Sequence, residues 1–202
     1  MTAQICDEFL YQEQAYVLID VSNRIDDALF DPAASGLSPY PSTMACWRGY
    51  KAVFSVVEGK LVLDKLHINL RRLVDGKSKS QKGLPINGVN PISTAIGNGR
   101  LDMLFNNHYE DLALPITYNG GLLLGQDWIP GRDGYYPFWR YETVLELIFE
   151  EGVFQAYFDR SQDLADFQVQ YKAWRAGKRE EMPDRTQVRE IMNRSFAFTY
   201  KY

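Results

Sequence analysis

Acid/base, thiol or soft-metal chemistry in this chain would have to be built from few residues, since it holds only two histidines, His67 and His108, and two cysteines, Cys6 and Cys46. His108 stands in NNHYED, where Glu110 or Asp111 could orient the imidazole for the general acid/base work of a hydrolase or transferase. A turn rich in hydrogen-bonding side chains explains the same letters, because neighbours in sequence need not meet in space. The turn is therefore the preferred reading, and His108, Glu110 and Asp111 form the alternative catalytic set. His67 falls near the end of a predicted strand and reads as a surface or edge histidine. Neither histidine has the HExxH or CxxC-paired spacing of a metal site, so no metal and no cofactor are expected. Cys46 would need a nearby base to act as a nucleophile and is expected to be buried and inert. Gly76-Lys77-Ser78 spells GKS, but a phosphate loop needs a glycine where this chain has Arg71, so a solvated basic loop is expected.

The segment QDWIPGRDGYYPFW, Gln126 to Trp139, offers binding chemistry instead. Trp128, Arg132, Tyr135 and Tyr136 on a loop have the composition of an interface hot spot, and such rings also stack on sugars or bases. Glu142, Glu146 and Glu150 make an acidic row on one strand face, by default solvated or cross-paired, and able to meet a basic partner. The carboxylate pairs Asp26-Asp27 and Glu150-Glu151 have no defined separation in sequence and assign no glycosidase-like site.

The elements that position these groups are mainly strands. WRGYKAVFSVVEGKLVL from Trp47 is echoed by WRYETVLELIFEEGVF from Trp139, and Tyr50, Ala52, Phe54 and Val56 match Tyr141, Thr143, Leu145 and Leu147 face by face. Both copies reach Glu-Gly, at Glu58-Gly59 and Glu151-Gly152, and both read as β-hairpins. The first copy has one extra residue, Gly49, expected to be absorbed as a bulge. Trp47 and Trp139 should then be equivalent and buried, with Arg48 and Arg140 outward. An opening hairpin is expected around Gln12-Glu13-Gln14, and Asn119-Gly120 carries the strongest hairpin signal in the chain. DGKSKSQKG (75–83) reads as an exposed loop and Leu101 to Phe105 as a short helix. Leu164, Phe167, Tyr171 and Trp174 recur at helical spacing after Ser161 as cap, with Gly177 past the end. A second helix after Pro183 should turn Val188, Ile191 and Met192 inward, and alternation from Phe196 to Tyr202 predicts a final strand over 195–202.

WRGY, an apolar strand and EGKL, followed later by YNGGLLLG and another EG hairpin, resemble an uncharacterised family of small bacterial β-rich proteins. The resemblance covers residues 43–158 and implies no activity, cofactor or site residue. The expected class is α+β: a strongly bent antiparallel sheet or two-sheet barrel-like core with C-terminal helices. The chain reads as a single domain over 1–202, with hairpin repeats near 47–66 and 139–159 and a helical part over 161–193. Two small β domains, one per repeat, are the alternative. Hydrophobic residues at 46% can fill a core without disulfides, and a formal charge of -4 argues against nucleic acid or an anionic membrane as partner. With no apolar run near membrane-spanning length and no leader-like start, a cytoplasmic protein is expected. The function expected is non-enzymatic binding of another protein, in the manner of an immunity or defence-associated factor. A hydrolase or transferase, or a sugar- or nucleotide-binding module, is the alternative.

Overall fold

The computed structural model describes residues 4–23, 28–41, 43–94, 104–129, 137–177 and 185–200, without the side chains of residues 170, 171, 174, 175 and 185. Twelve strands occur among them: β1 Glu8–Tyr11, β2 Gln14–Val21, β3 Tyr50–Val57, β4 Lys60–Ile68, β5 Arg71–Val74, β6 Lys77–Ser80, β7 Ile92–Ser93, β8 Asn107–Tyr109, β9 Leu114–Pro115, β10 Gly120–Trp128, β11 Tyr141–Glu150 and β12 Val153–Asp159. Two helices follow, α1 Ala165–Arg175 and α2 Arg185–Ser195.

Ten strands form one sheet in the order β12-β11-β10-β2-β1-β3-β4-β8-β7, with β9 beside β4. The pairing is antiparallel except between β1 and β3, which run parallel. The sheet curves until its hairpin tips touch: Val153 of β12 pairs with Lys60 of β4, and Phe154 N–H donates to Gly59 O at 2.8 Å. Contact at one pair leaves the sheet strongly curved without making a regular barrel.

Alternation divides β2, β10 and β11 between two cores, while β1, β3 and β4 feed one of them. One cluster buries Phe9, Ala52, Phe54, Leu61, Leu63, Leu66, Ile68, Leu122, Leu124 and Leu147. In the other, Leu123, Trp139, Tyr141 and Val144 meet Leu164 and Phe167 near and in α1, Val188 and Met192 of α2, and Phe196. The amphipathic spacing read for both helices is seen in Leu164, Phe167, Val188 and Met192, all buried. Gly177 has φ 75°, as a residue ending a helix should.

The three hairpins expected from alternation form, and each turns through two consecutive left-handed residues: Gln12-Glu13, Glu58-Gly59 and Glu151-Gly152. Other expectations are corrected. Asn119-Gly120 closes no hairpin, because β9 pairs with β4 while β10 pairs with β11 and β2. Its asparagine clasps the second EG turn instead, Nδ2 donating to Glu151 Oε1 and Oδ1 accepting Glu151 N–H, both at 2.6 Å. Residues 75–83 are not a plain loop: Asp75-Gly76 turns the β5–β6 hairpin, so the GKS glycine lies between strands rather than ahead of a helix. Ser161 does not cap α1, which begins four residues later at Ala165, and its Oγ accepts the Val144 N–H at 3.1 Å. The Leu101–Phe105 helix falls mostly outside the described residues.

The expected final strand is absent over residues 196–200. Its backbone is claimed by a side chain: the Glu146 carboxylate accepts the N–H groups of Ala197 and Phe198 and the Tyr200 hydroxyl. Glu146 is thus fully buried and also paired with Arg160 at 2.6 Å. The acidic row is broken, with Glu142 and Glu150 exposed and Glu146 inside the fold. Burial, with Glu146 next, pushes the Tyr200 hydroxyl strongly upward in pKa, so it stays protonated and donates.

Candidate binding face

The two tryptophan-arginine pairs differ sharply. Trp139 is 2% exposed and Arg140 0%, within a short 3-10 turn, Phe138–Arg140, that packs under the helices. The Trp139 ring lies edge-on to Phe167 at 5.3 Å, and Arg140 Nε donates to Ile129 O at 3.3 Å. Trp47, by contrast, is 71% exposed and Met44 69%. The expectations that Trp47 is buried and that Arg140 points outward are both overturned.

The cause lies in what each arginine can reach. Arg48 forms two 2.9 Å bonds with Asp7, which is itself 5% exposed and accepts the Ala52 N–H at 2.8 Å. Burial opposes the Arg48 charge, but Asp7 outweighs it and the guanidinium is held firmly protonated. Arg48 is thereby tied back to Asp7, with its side chain still 36% exposed, and the neighbouring Trp47 faces solvent. Gly49 has φ 72°, and a Cβ there would strike the Tyr40 backbone, so it ends this turn rather than bulging the strand. The irregularity in β3–β4 falls at Val53/Phe54.

This knuckle is well fixed. Gln4 Nε2 donates to Met44 O at 2.9 Å and Gln4 Oε1 accepts the Trp47 N–H at 3.0 Å, while Ile5 N–H donates to Ala45 O at 2.7 Å. Cys46, 2% exposed beneath it, directs its thiol to Tyr50 O, and burial raises its pKa. The expectation of an inert buried cysteine fits this setting.

A second feature lies where β2 and β10 part. Their pairing runs from Val21–Leu122 to Val17–Gly125 and stops, although β2 extends back to Gln14 and β10 forward to Trp128. A shallow depression of about 170 Å³ fills the fork, lined by Glu8, Ala15, Tyr16, Val17, Gly125 to Trp128, and Tyr141. Trp128, 43% exposed, borders it with the Arg140 guanidinium 4.8 Å from its ring centre. Of the aromatic-loop residues expected to bind, Trp128 is therefore placed at a depression. Arg132, Tyr135 and Tyr136 lie outside the described residues, as do Asp26 and Asp27.

The two histidines meet. His67 and His108 are register partners on β4 and β8, their Nδ1 atoms 2.9 Å apart. His108 Nε2 lies 3.1 Å from Phe105 O, which can only accept, so in the neutral ring Nε2 carries the proton and Nδ1 accepts from His67. Thr94 Oγ1 also sits 2.9 Å from His108 Nε2. Burial, with the adjacent His108 next, lowers the His67 pKa to about 4, so this ring is neutral and a weak base near pH 7. Glu110 pairs with Lys65 at 2.7 Å, and Asp111 is an exposed residue at φ 53°. The partners of His108 are thus His67, Thr94 and Phe105, an arrangement suited to joining short strands. Among the described residues no group of three or more His, Cys, Asp or Glu could hold a metal ion. No described helix is long and apolar enough to cross a membrane.

Two features lay beyond sequence reasoning. The His67–His108 contact needs the β4–β8 register, and the outward turn of Trp47 needs Asp7, forty residues away. The one signal present was the extra glycine after Trp47-Arg48. No family model, curated protein or solved structure matches the chain.

Proposed function

We propose that the chain is a non-enzymatic protein-binding factor that works by occupying another protein, as immunity and defence-associated factors do. One observation carries the reading: Trp47, 71% exposed, is presented on a loop clamped by Gln4 and Asp7 rather than folded onto the core. A tryptophan in water is costly to leave unburied, and a fixed one loses little conformational freedom on binding, which are the attributes of an interface anchor. Met44, 69% exposed on the same loop, offers a further adaptable apolar side chain. The His67–His108 pair, with His67 a weak base and His108 bonded to strand partners, lends the alternative of acid/base catalysis less support.

Capture from extract of the source cell tests this reading. Immobilised wild-type chain should retain a stoichiometric partner at near-physiological salt, and Trp47→Ala, folded by circular dichroism, should not. Equal retention by both, or none by either, would overturn it.

A further inference from the structure

We infer that the β5–β6 hairpin is a docking arm for an extended, carboxylate-bearing segment of a partner protein. The inference rests on the protein-binding reading and adds the chemistry of the segment bound.

The hairpin holds an uncompensated charge. It and the residues just past it carry five cations, Arg71, Arg72, Lys77, Lys79 and Lys82, against one acid, Asp75. The register sets Arg72 directly opposite Lys79 and Val74 opposite Lys77, so alternation gathers Arg72, Lys77 and Lys79 on one face. All three are exposed, and among the described residues none is paired with a carboxylate. Like charges placed directly opposite destabilise a hairpin. A carboxylate bound between Arg72 and Lys79 would remove that repulsion.

The fold nevertheless holds this hairpin in place. A lone two-stranded ribbon is marginal in water, and here two buried amides clamp its base. Asn106 Nδ2 donates to Leu70 O at 2.8 Å and to Ser80 Oγ at 2.9 Å, while its Oδ1 accepts the Leu70 N–H at 2.9 Å. Asn107 Nδ2 donates to Gln81 O and its Oδ1 accepts the Gly83 N–H, both at 2.9 Å. Both legs are fixed before any partner arrives, which lowers the ordering cost of binding.

Edges and charge together select the occupant. β5 and β6 form a separate sheet, with no further strand beside either among the described residues. An extended segment joins such an edge through main-chain hydrogen bonds. Its alternate side chains then set carboxylates by Arg72, Lys77 and Lys79 and apolar groups by Leu73, which is 75% exposed on the other face. Nucleic acid is a poorer match. The whole chain stands at -4 although the hairpin is cationic, so the remaining surface is more acidic still and repels a long polyanion.

The arm also adjoins the proposed anchor. The Arg71 guanidinium lies 4.7 Å from the Tyr40 ring centre, Tyr40 N–H donates to Asn69 O, and Asn69 N–H donates to Gly49 O. The hairpin thus springs from the same end of the β3–β4 ladder as the Trp47 loop, where Tyr50 pairs with Ile68. Charge beside an apolar anchor steers association and selects partners.

The test uses the full, isotope-labelled chain and two acetylated, amidated pentapeptides, Glu-Val-Glu-Val-Glu and its counterpart Lys-Val-Lys-Val-Lys, with a short DNA duplex as a third probe. The glutamate peptide should give saturable NMR shifts at Arg72, Leu73, Lys77 and Lys79, and the lysine peptide should not. The triple variant Arg72→Gln/Lys77→Gln/Lys79→Gln, with the rest of its spectrum unchanged, should bind the glutamate peptide roughly tenfold more weakly or worse. Equal response to both peptides, saturable shifts only away from the hairpin, or full binding by the triple variant would each overturn the arm. Tighter binding of the duplex than of the glutamate peptide would overturn it in favour of nucleic acid. No saturable shift with any probe would leave the cations as guards against edge pairing and overturn it too. The two readings fail separately. Loss of the arm leaves Trp47-dependent capture standing, whereas capture that survives Trp47→Ala removes the anchor whatever the peptides do.

Discussion

The hairpin that follows Trp47 and the hairpin that follows Trp139 share strand alternation and the same Glu-Gly turn, yet one tryptophan is in solvent and the other is in a core. The difference is in what each copy packs against. Trp139 sits beneath Phe167 and next to Phe138, which meets Phe196 at 5.3 Å. The first copy has Asp7 as its neighbour, whose carboxylate pairs with the arginine, and among the described residues no apolar layer of the kind formed by Phe138, Phe167 and Phe196 is seen over its indole, which is 71% exposed. A repeat therefore specifies the local hairpin, while its flanking elements decide which side chains the hairpin buries.

Breaking the covered copy should have the largest effect. Trp139→Ala should cost about 3–5 kcal/mol in urea or guanidinium unfolding, as for other large aromatic truncations in cores. Glu146→Ala should cost about 3 kcal/mol and detach the 196–200 tail, because it leaves Arg160 and two backbone N–H groups without their acceptor. Proteolysis of the tail checks this. In the first copy Ser55 stands where the second has Glu146.

His67, at the end of the first copy's return strand, gives a pH-dependent contribution. His67 titrates at about 4 in the fold and near 6.5 when unfolded, so between those values the unfolded chain binds more protons. Its contribution is complete above about pH 6.5 and is lost as pH falls towards 4, a loss of roughly 2 kcal/mol after allowing for partial exposure. His67→Asn should flatten that part of the stability profile. Arg48→Ala should cost about 1–2 kcal/mol by removing a two-pronged bond to nearly buried Asp7. Trp47→Ala should change stability by less than about 0.5 kcal/mol, the scale of ordinary surface changes.

Strand alternation and helical spacing were legible because each is set within a few residues: the three hairpins and the inward faces of Leu164, Phe167, Val188 and Met192 could be read directly. Errors arose where a distant polar group won. Alternation over Phe196–Tyr200 resembled a strand until Glu146 took its N–H groups. Asn119-Gly120 resembled a hairpin turn until Tyr118 was anchored, its hydroxyl bonding to Ser22 O and Gly121 O at 2.8 Å. Of the candidate site, Trp128 was legible as an aromatic beside turn formers. The fork it borders depends on where β2 and β10 stop pairing, which no local pattern encodes.

The most direct test of the asymmetry between the copies is oxidative footprinting of the native chain, with modification at each tryptophan followed by mass spectrometry. Trp47 should react nearly as fast as in the unfolded chain, while Trp139 should react only at the rate of global unfolding. Equal protection of the two rings would contradict the account, since Trp47 would then be buried as the repeat alone implies.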